Sequence, residues 1–129
     1  MAKDDPDACP CGSSRIYQCC CGPLHGGEVA TTAEALMRSR YCAYVRGYAD
    51  YLLATWHPST RPERIDLDEE PRPKWLGLQV KRQEMMGQDQ AVVEFVARYC
   101  VAGRGQRMHE FSRFVRENGR WYYVDGEVR

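Results

Sequence analysis

Five cysteines crowd into thirteen residues near the start of this chain, and nothing else in the sequence limits its folding as strongly. The segment reads Cys9-Pro-Cys11-Gly-Ser-Ser-Arg-Ile-Tyr-Gln-Cys19-Cys20-Cys21-Gly22. Two thiols one residue apart, a glycine where the chain must turn, and a later run of adjacent thiols can converge into a tetrahedral thiolate set. Zn²⁺ suits such a set, being soft enough for sulfur and inert to redox change. A segment this short has almost no core of its own, so metal binding would supply most of its folding free energy. Four thiolates leave no open position for water, so the zinc would be structural. A redox-sensing thiol cluster is the competing reading. Spacing alone leaves open which two of Cys19, Cys20 and Cys21 take part. His25, beside Gly26-Gly27, reads as an exposed loop residue with some capacity to be a ligand.

The chain has 129 residues and seven cysteines in all. An odd total, dense clustering and an acidic Met1–Ala8 stretch without an apolar segment predict a reduced, cytoplasmic protein with no secretory leader. Lys+Arg and Asp+Glu are both 18. That balance argues against nucleic-acid binding or membrane-surface attachment, which rest on an excess of cations. No apolar run approaches the ~20 residues that span a bilayer.

The opening segment resembles the SEC-C zinc motif, whose pattern is Cys-x-Cys, eight residues, then Cys followed by Cys or His, with a Cys-Pro-Cys-Gly-Ser opening. Cys9-Pro10-Cys11-Gly12-Ser13 and the Tyr17-x-x-Cys20-Cys21 ending carry the resemblance. It implies Cys9, Cys11, Cys20 and Cys21 as ligands of one structural zinc, with Cys19 in a spacer position. Arg15 is the only basic residue between Cys9 and Cys21, whereas SEC-C motifs often carry several lysines there, which weakens any anchoring to phosphate.

Texture changes after Gly26-Gly27, which places a zinc-binding motif at 1–27 and a second domain at 28–129. Thr31-Thr-Ala-Glu34 reads as a capping box with Thr31 as the cap. Met37, Tyr41, Tyr44, Val45 and Tyr48 recur at helical spacing as one apolar stripe, with Arg40 and Arg46 outside it and Arg38 on its edge. Asp50 is a second candidate cap, for a short helix over 51–57 that Pro58 stops. Residues 58–73, with four prolines around Asp66-Leu-Asp68-Glu69-Glu70, read as a loop with a solvated acidic face.

The remainder reads as sheet. Trp75 to Met85 is a candidate strand, and residues 91–101 alternate, with Val93, Phe95, Ala97, Tyr99 and Val101 on one face and Val92, Glu94, Val96, Arg98 and Cys100 on the other. Gly103-Arg-Gly105 turns into a strand over 107–117, and Asn118-Gly119 is a hairpin signal leading to Trp121–Asp125. Helices followed by an antiparallel meander predict an α+β fold with helices covering one face of a curved sheet. Cys42 and Cys100 read as small buried hydrophobes.

Leu36-Met-Arg-Ser-Arg-Tyr-Cys-Ala-Tyr44, Ala49-Asp-Tyr-Leu52, Thr55-Trp-His-Pro58, Ser112-Arg-Phe114 and Glu117-Asn-Gly-Arg-Trp-Tyr-Tyr-Val-Asp-Gly126 resemble the YchJ family of small bacterial proteins. That family joins a SEC-C motif to an NTF2-like domain, so the resemblance implies an NTF2-like cone across the rest of the chain. It brings no assigned activity. NTF2-like sheets often dimerise, though nothing in this sequence demands it.

Two functions follow as expectations. The first is a zinc-binding adaptor, not an enzyme, whose rigid knuckle meets a protein partner. The second is small-molecule binding or acid/base catalysis in a pocket between helices and sheet, using groups among Trp56, His57, Glu94, Arg98, His109 and Arg113, with Glu110 beside them and His57 foremost. The plainer alternative is that Glu94 and Arg98 pair across neighbouring strands on a wet face. No Ser-His-Asp ordering, phosphate-binding glycine loop, dinucleotide fingerprint or His-Glu-x-x-His stands out, which removes most common enzyme classes.

Overall fold

A computed structural model describes residues 7–129; the acidic stretch read as leaderless lies mostly outside the described residues. After a 3₁₀ turn at Tyr17–Cys19 come three helices: α1 (Cys21–His25), α2 (Ala33–Arg46) and α3 (Ala49–Ala54). Four strands follow, β1 (Lys74–Met85), β2 (Gln90–Val101), β3 (Arg104–Glu117) and β4 (Arg120–Val128). They form one antiparallel sheet in sequence order, with α2 packed against β1, β2 and β4. The expected α+β architecture is present.

Sequence explains the meander. Asn118 and Gly119 both take positive φ, the backbone of a two-residue hairpin whose twist matches the flanking strands. The β2–β3 turn sits at Ala102-Gly103, also left-handed, one residue earlier than the glycine pair suggests. Register pairs Phe95 with Glu110 and Ala97 with Met108, so these side chains share the helix-facing side. Val96 pairs with His109 and Glu94 with Phe111, placing them on the outer side. Irregularities at Trp75/Gly77, Val80/Arg82 and Arg113/Phe114 bend the sheet. Beyond β4, the Thr55 carbonyl accepts from the Tyr123 N–H at 2.9 Å and the His57 N–H donates to the Tyr123 carbonyl at 2.7 Å. This short pairing covers part of an otherwise open edge.

The helical region departs from the expectations in three respects. Thr32, not Thr31, caps α2: its hydroxyl accepts from the Ala35 N–H at 3.0 Å. Glu34 does not close a box; its carboxylate meets Arg38 at 3.0 Å, and its N–H donates to the Gln83 side chain. Tyr48 precedes α3 without a side-chain cap, and the helix ends at Ala54, short of Trp56. The third departure concerns burial. Arg40 is 5% exposed, whereas Val45 and Tyr48 of the supposed stripe are 38% and 40% exposed. The reason is that α2 is covered on two sides. Leu36, Met37 and Tyr41 join a core with Val93, Phe95 and Phe114, and Cys9, Cys11, Cys21 and Cys42 belong to the same continuous cluster. A helix packed on both the sheet and the cysteine segment buries most of its circumference, which a single stripe does not describe.

Candidate functional site

A small hairpin presents the first two thiols. The Cys9 N–H donates to the Arg15 carbonyl at 2.8 Å and Tyr17 N–H to Asp7 at 2.9 Å, closing a loop over residues 10–14. Gly12 turns that loop with φ of 79°, and a side chain there would meet the Leu78 carbonyl of β1. The 3₁₀ turn and the start of α1 then bring Cys20 and Cys21 against them. The Sγ atoms of Cys9, Cys11, Cys20 and Cys21 all lie within 4.8 Å of one another. Cys11 and Cys20 are 3.6 Å apart, and Cys20 and Cys21 4.0 Å. A tetrahedral site with ~2.3 Å metal–sulfur bonds has sulfur–sulfur edges of about 3.8 Å, so the donor set fits a thiolate metal site. Cys19 is exposed and outside the group, and all seven cysteines are free thiols.

Around this set stand groups suited to hold thiolates. Ser13 Oγ is 3.1 Å from Cys20 Sγ, and Arg38 Nη1 donates to the Cys11 carbonyl at 2.8 Å while lying 4.0 Å from its sulfur. Cys42, fully buried on α2, places its Sγ 3.3 Å from that of Cys9. The thiols do not ionise independently. Cys9 is governed by its contact with Cys11, which opposes ionisation, and by Cys21 and Cys42, which favour it; its pKa falls to about 6. Cys11 is likewise held low by contacts with Cys21, Cys42 and Cys9. Cys21 and Cys42 are pushed up, each first by its contact with Cys11, and Cys20 is raised by burial. Four thiolates packed this closely repel one another, and a bound cation would relieve that repulsion.

His25 is not a ligand in this geometry, nor is it an exposed loop residue. Its Nε2–H donates to the Ser39 carbonyl at 2.8 Å, which leaves Nδ1 to accept from the Tyr17 hydroxyl. The ring also packs on Tyr48 and Tyr51. It ties the cysteine segment to α2, and burial holds its pKa below the usual imidazole value.

The expected pocket residues do not converge. Glu94 accepts from His109 at 2.7 Å and from Arg82 at 3.1 Å on the outer face, so its partners are these two and not Arg98. The His109 hydrogen bond keeps the Glu94 carboxyl below its ordinary range. Arg113 pairs with Asp125 at 2.6 Å on the same side, and Arg98 is exposed. His57 lies at the other end of the sheet, where its Nδ1 accepts from the Ser59 N–H and its Nε2–H donates to Glu117 at 2.9 Å. Trp56 donates to Thr60 and meets Tyr123 edge-on.

A different set of residues lines an apolar cavity of about 300 Å³ between α2 and the inner face of the sheet. Its walls include Met37, Trp75, Phe95 and Met108, with Arg40, Tyr44, Glu110 and Tyr123 among the polar groups. No histidine reaches it, and none of the six residues above lines it. Arg40 donates through Nη1 to the Leu52 carbonyl at 2.8 Å and Thr55 Oγ1 at 2.7 Å. Its guanidinium lies over Tyr123 and Trp56, at 4.5 and 5.1 Å from the ring centres. Burial lowers its pKa to about 10, still far enough above neutrality to keep the charge. Sequence reasoning missed Arg40 because its neighbours on the helix read as a polar face. Glu110, weighed beside the expected pocket groups, does line this cavity.

A largely buried tetrathiol cluster docked on a helix that also roofs a four-stranded antiparallel sheet defines an α+β protein with a cysteine knuckle. A family model described as the middle NTF2-like domain of YchJ matches residues 32–126. The UPF0225 protein of Bordetella parapertussis is 54% identical over 127 residues, covering 96% of this chain and 95% of its own. That of Chromobacterium violaceum is 59% identical over 126 residues, with 94% and 93% covered. The solution structure of a SEC-C motif containing protein from Rhodopseudomonas palustris is similar at TM-score 0.82 and 37% identity, covering 94% of this chain and 98% of that one. A crystal structure of a SEC-C motif containing protein from Psychrobacter arcticus gives 0.75 and 31%, with 94% and 82% covered. The chain belongs to the YchJ-like UPF0225 family.

Proposed function

We propose that this chain is a zinc-binding adaptor protein in which Cys9, Cys11, Cys20 and Cys21 hold one structural Zn²⁺. The convergence of four thiols on one point carries this reading. Four sulfur donors favour zinc over harder cations, and they leave no position for a metal-bound water, so a structural role follows and a hydrolytic one does not. Residues 1–27 then form a metal-dependent knuckle and 28–129 the domain that carries it. Bound metal would hold the knuckle against α2, and free thiols accord with a reducing, cytoplasmic setting. An adaptor needs a presented surface. Tyr17, stacked 3.8 Å beneath the Arg46 guanidinium, and the half-exposed Tyr48 offer one where the knuckle meets α3.

The test is native mass spectrometry of the purified chain together with chelation. One zinc per chain, and loss of knuckle amide signals on metal removal while the sheet persists, is the expected result. A metal-free protein with an unchanged knuckle would reject the proposal.

The acid/base alternative has no histidine in the Arg40 cavity, since the His57–Glu117 and His109–Glu94 pairs lie outside its lining. Small-molecule binding keeps a physical basis in the Arg40 cavity.

A further inference from the structure

Arg40 and Glu110 enter the same apolar cavity from opposite walls, one from α2 and the other from β3. They interact electrostatically, and no ion pair joins them among the described residues. Each is supported instead by neutral groups. The Leu52 carbonyl and Thr55 hydroxyl take Arg40 Nη1, and Ser112 Oγ donates to Glu110 Oε2 at 2.6 Å. Glu110 is seated close to β4 because Gly126 has no side chain; a Cβ there would run into the carboxylate. The remaining guanidinium N–H groups of Arg40, the second oxygen of Glu110 and the hydroxyls of Tyr44 and Tyr123 have no hydrogen-bond partner among the described residues. These groups are open to whatever fills the cavity, and a ligand charged oppositely at its two ends can pair with both.

We infer that this cavity binds a small zwitterion of the hydrophobic amino-acid type, its carboxylate toward Arg40 and its ammonium toward Glu110. Met37, Trp75, Phe95 and Met108 surround the apolar body. The volume, about 300 Å³, is at the lower end of small-molecule sites and suits a single-ring molecule. A plain carboxylate would satisfy Arg40 but leave Glu110 facing a like charge, and a plain amine would do the converse. Guanidinium and carboxylate recognise those two ends through directional, charge-assisted hydrogen bonds. This inference rests on the small-molecule reading of the cavity and is independent of the zinc site.

The experiment is titration of the metal-loaded full chain with L-phenylalanine, 3-phenylpropanoate and 2-phenylethylamine, by calorimetry and by the NMR shift of the Trp75 indole. L-Phenylalanine is expected to bind at least about tenfold more tightly than either single-charge analogue, because each analogue leaves one of the two charged groups without its partner. Glu110→Gln, which keeps shape and the Ser112 contact, should abolish the preference over 3-phenylpropanoate. Arg40→Met should abolish the preference over 2-phenylethylamine. If Arg40→Met does not fold, the Glu110→Gln result alone decides. Tighter binding of either single-charge analogue, or equal binding of all three, overturns the zwitterion assignment while keeping a small-molecule site. Absence of saturable binding by all three overturns both. So does binding that leaves the Trp75 signal unmoved.

Discussion

The Sγ of Cys42, in the C-terminal half of α2, lies 3.3 Å from the Sγ of Cys9 in the N-terminal hairpin. A fifth thiol thus reaches the four-thiol cluster from the domain that carries it, and its S–H is a donor to the Cys9 sulfur once that sulfur is a thiolate. Groups that support ligands from behind are worth about ten- to a hundredfold in metal affinity. Cys42→Ala is therefore expected to bind one metal ion still, with affinity reduced by about that factor in competition with a chelator. Unaltered affinity would show that the contact is packing only.

Arg40 clamps α3 as well as facing the cavity. Removing it with Arg40→Met leaves the Leu52 carbonyl without its charged donor and strips the stacking from Tyr123 and Trp56. The expected cost is about 2–4 kcal/mol in denaturant unfolding. Arg40→Lys should fall between the two, since an ammonium can reach the carbonyl but does not stack as a guanidinium does. A variant as stable as the parent would contradict the clamp.

The α2 helix also shows what could be read in advance. Strand alternation in 91–101 assigned each residue to its correct face, and the SEC-C resemblance, where spacing left Cys19, Cys20 and Cys21 open, implied the four thiols that the fold gathers. Glu94, His109 and Arg113 were nonetheless nominated for a pocket from the outer face. Which face meets the helices depends on the register of Phe95 with Glu110, a long-range property. Arg40 looked exposed because one helical stripe was assumed, whereas the cysteine segment buries a second side of α2. Similarly, Thr32 outcompetes Thr31 because Glu34 is drawn to Arg38 and Gln83, partners that only the folded chain brings near.

His25 gives the knuckle a dependence on pH. Burial depresses its pKa, so the folded protein carries the neutral ring while the unfolded chain takes up a proton near pH 6.5. Its contribution is present in full above that value and is lost as pH falls below it toward the lowered folded pKa. His25→Gln should therefore flatten the stability profile below about pH 6.5 relative to the parent, measured on samples matched for metal content. An identical slope in the two proteins would reject this role.

Gly126 is expected to tolerate alanine poorly because of one neighbour. The new methyl displaces Glu110, and nearly buried Ser112 loses its acceptor, at a cost of about 1 kcal/mol. The cost should vanish in a Glu110→Ser background, a coupling that a double-mutant cycle in chemical denaturation reads directly. Additive effects would mean that the two sites do not share this contact.

The central claim is that Cys9, Cys11, Cys20 and Cys21 form one metal site and that Cys19 stands outside it. Cobalt titration of the reduced protein tests it most directly, since tetrathiolate coordination has distinctive visible and sulfur charge-transfer bands. The account predicts one equivalent bound with a tetrathiolate spectrum, unchanged in Cys19→Ser and lost or converted to a three-sulfur spectrum in Cys20→Ser. Equal loss in both variants, or a full tetrathiolate spectrum in Cys9→Ser, would contradict it.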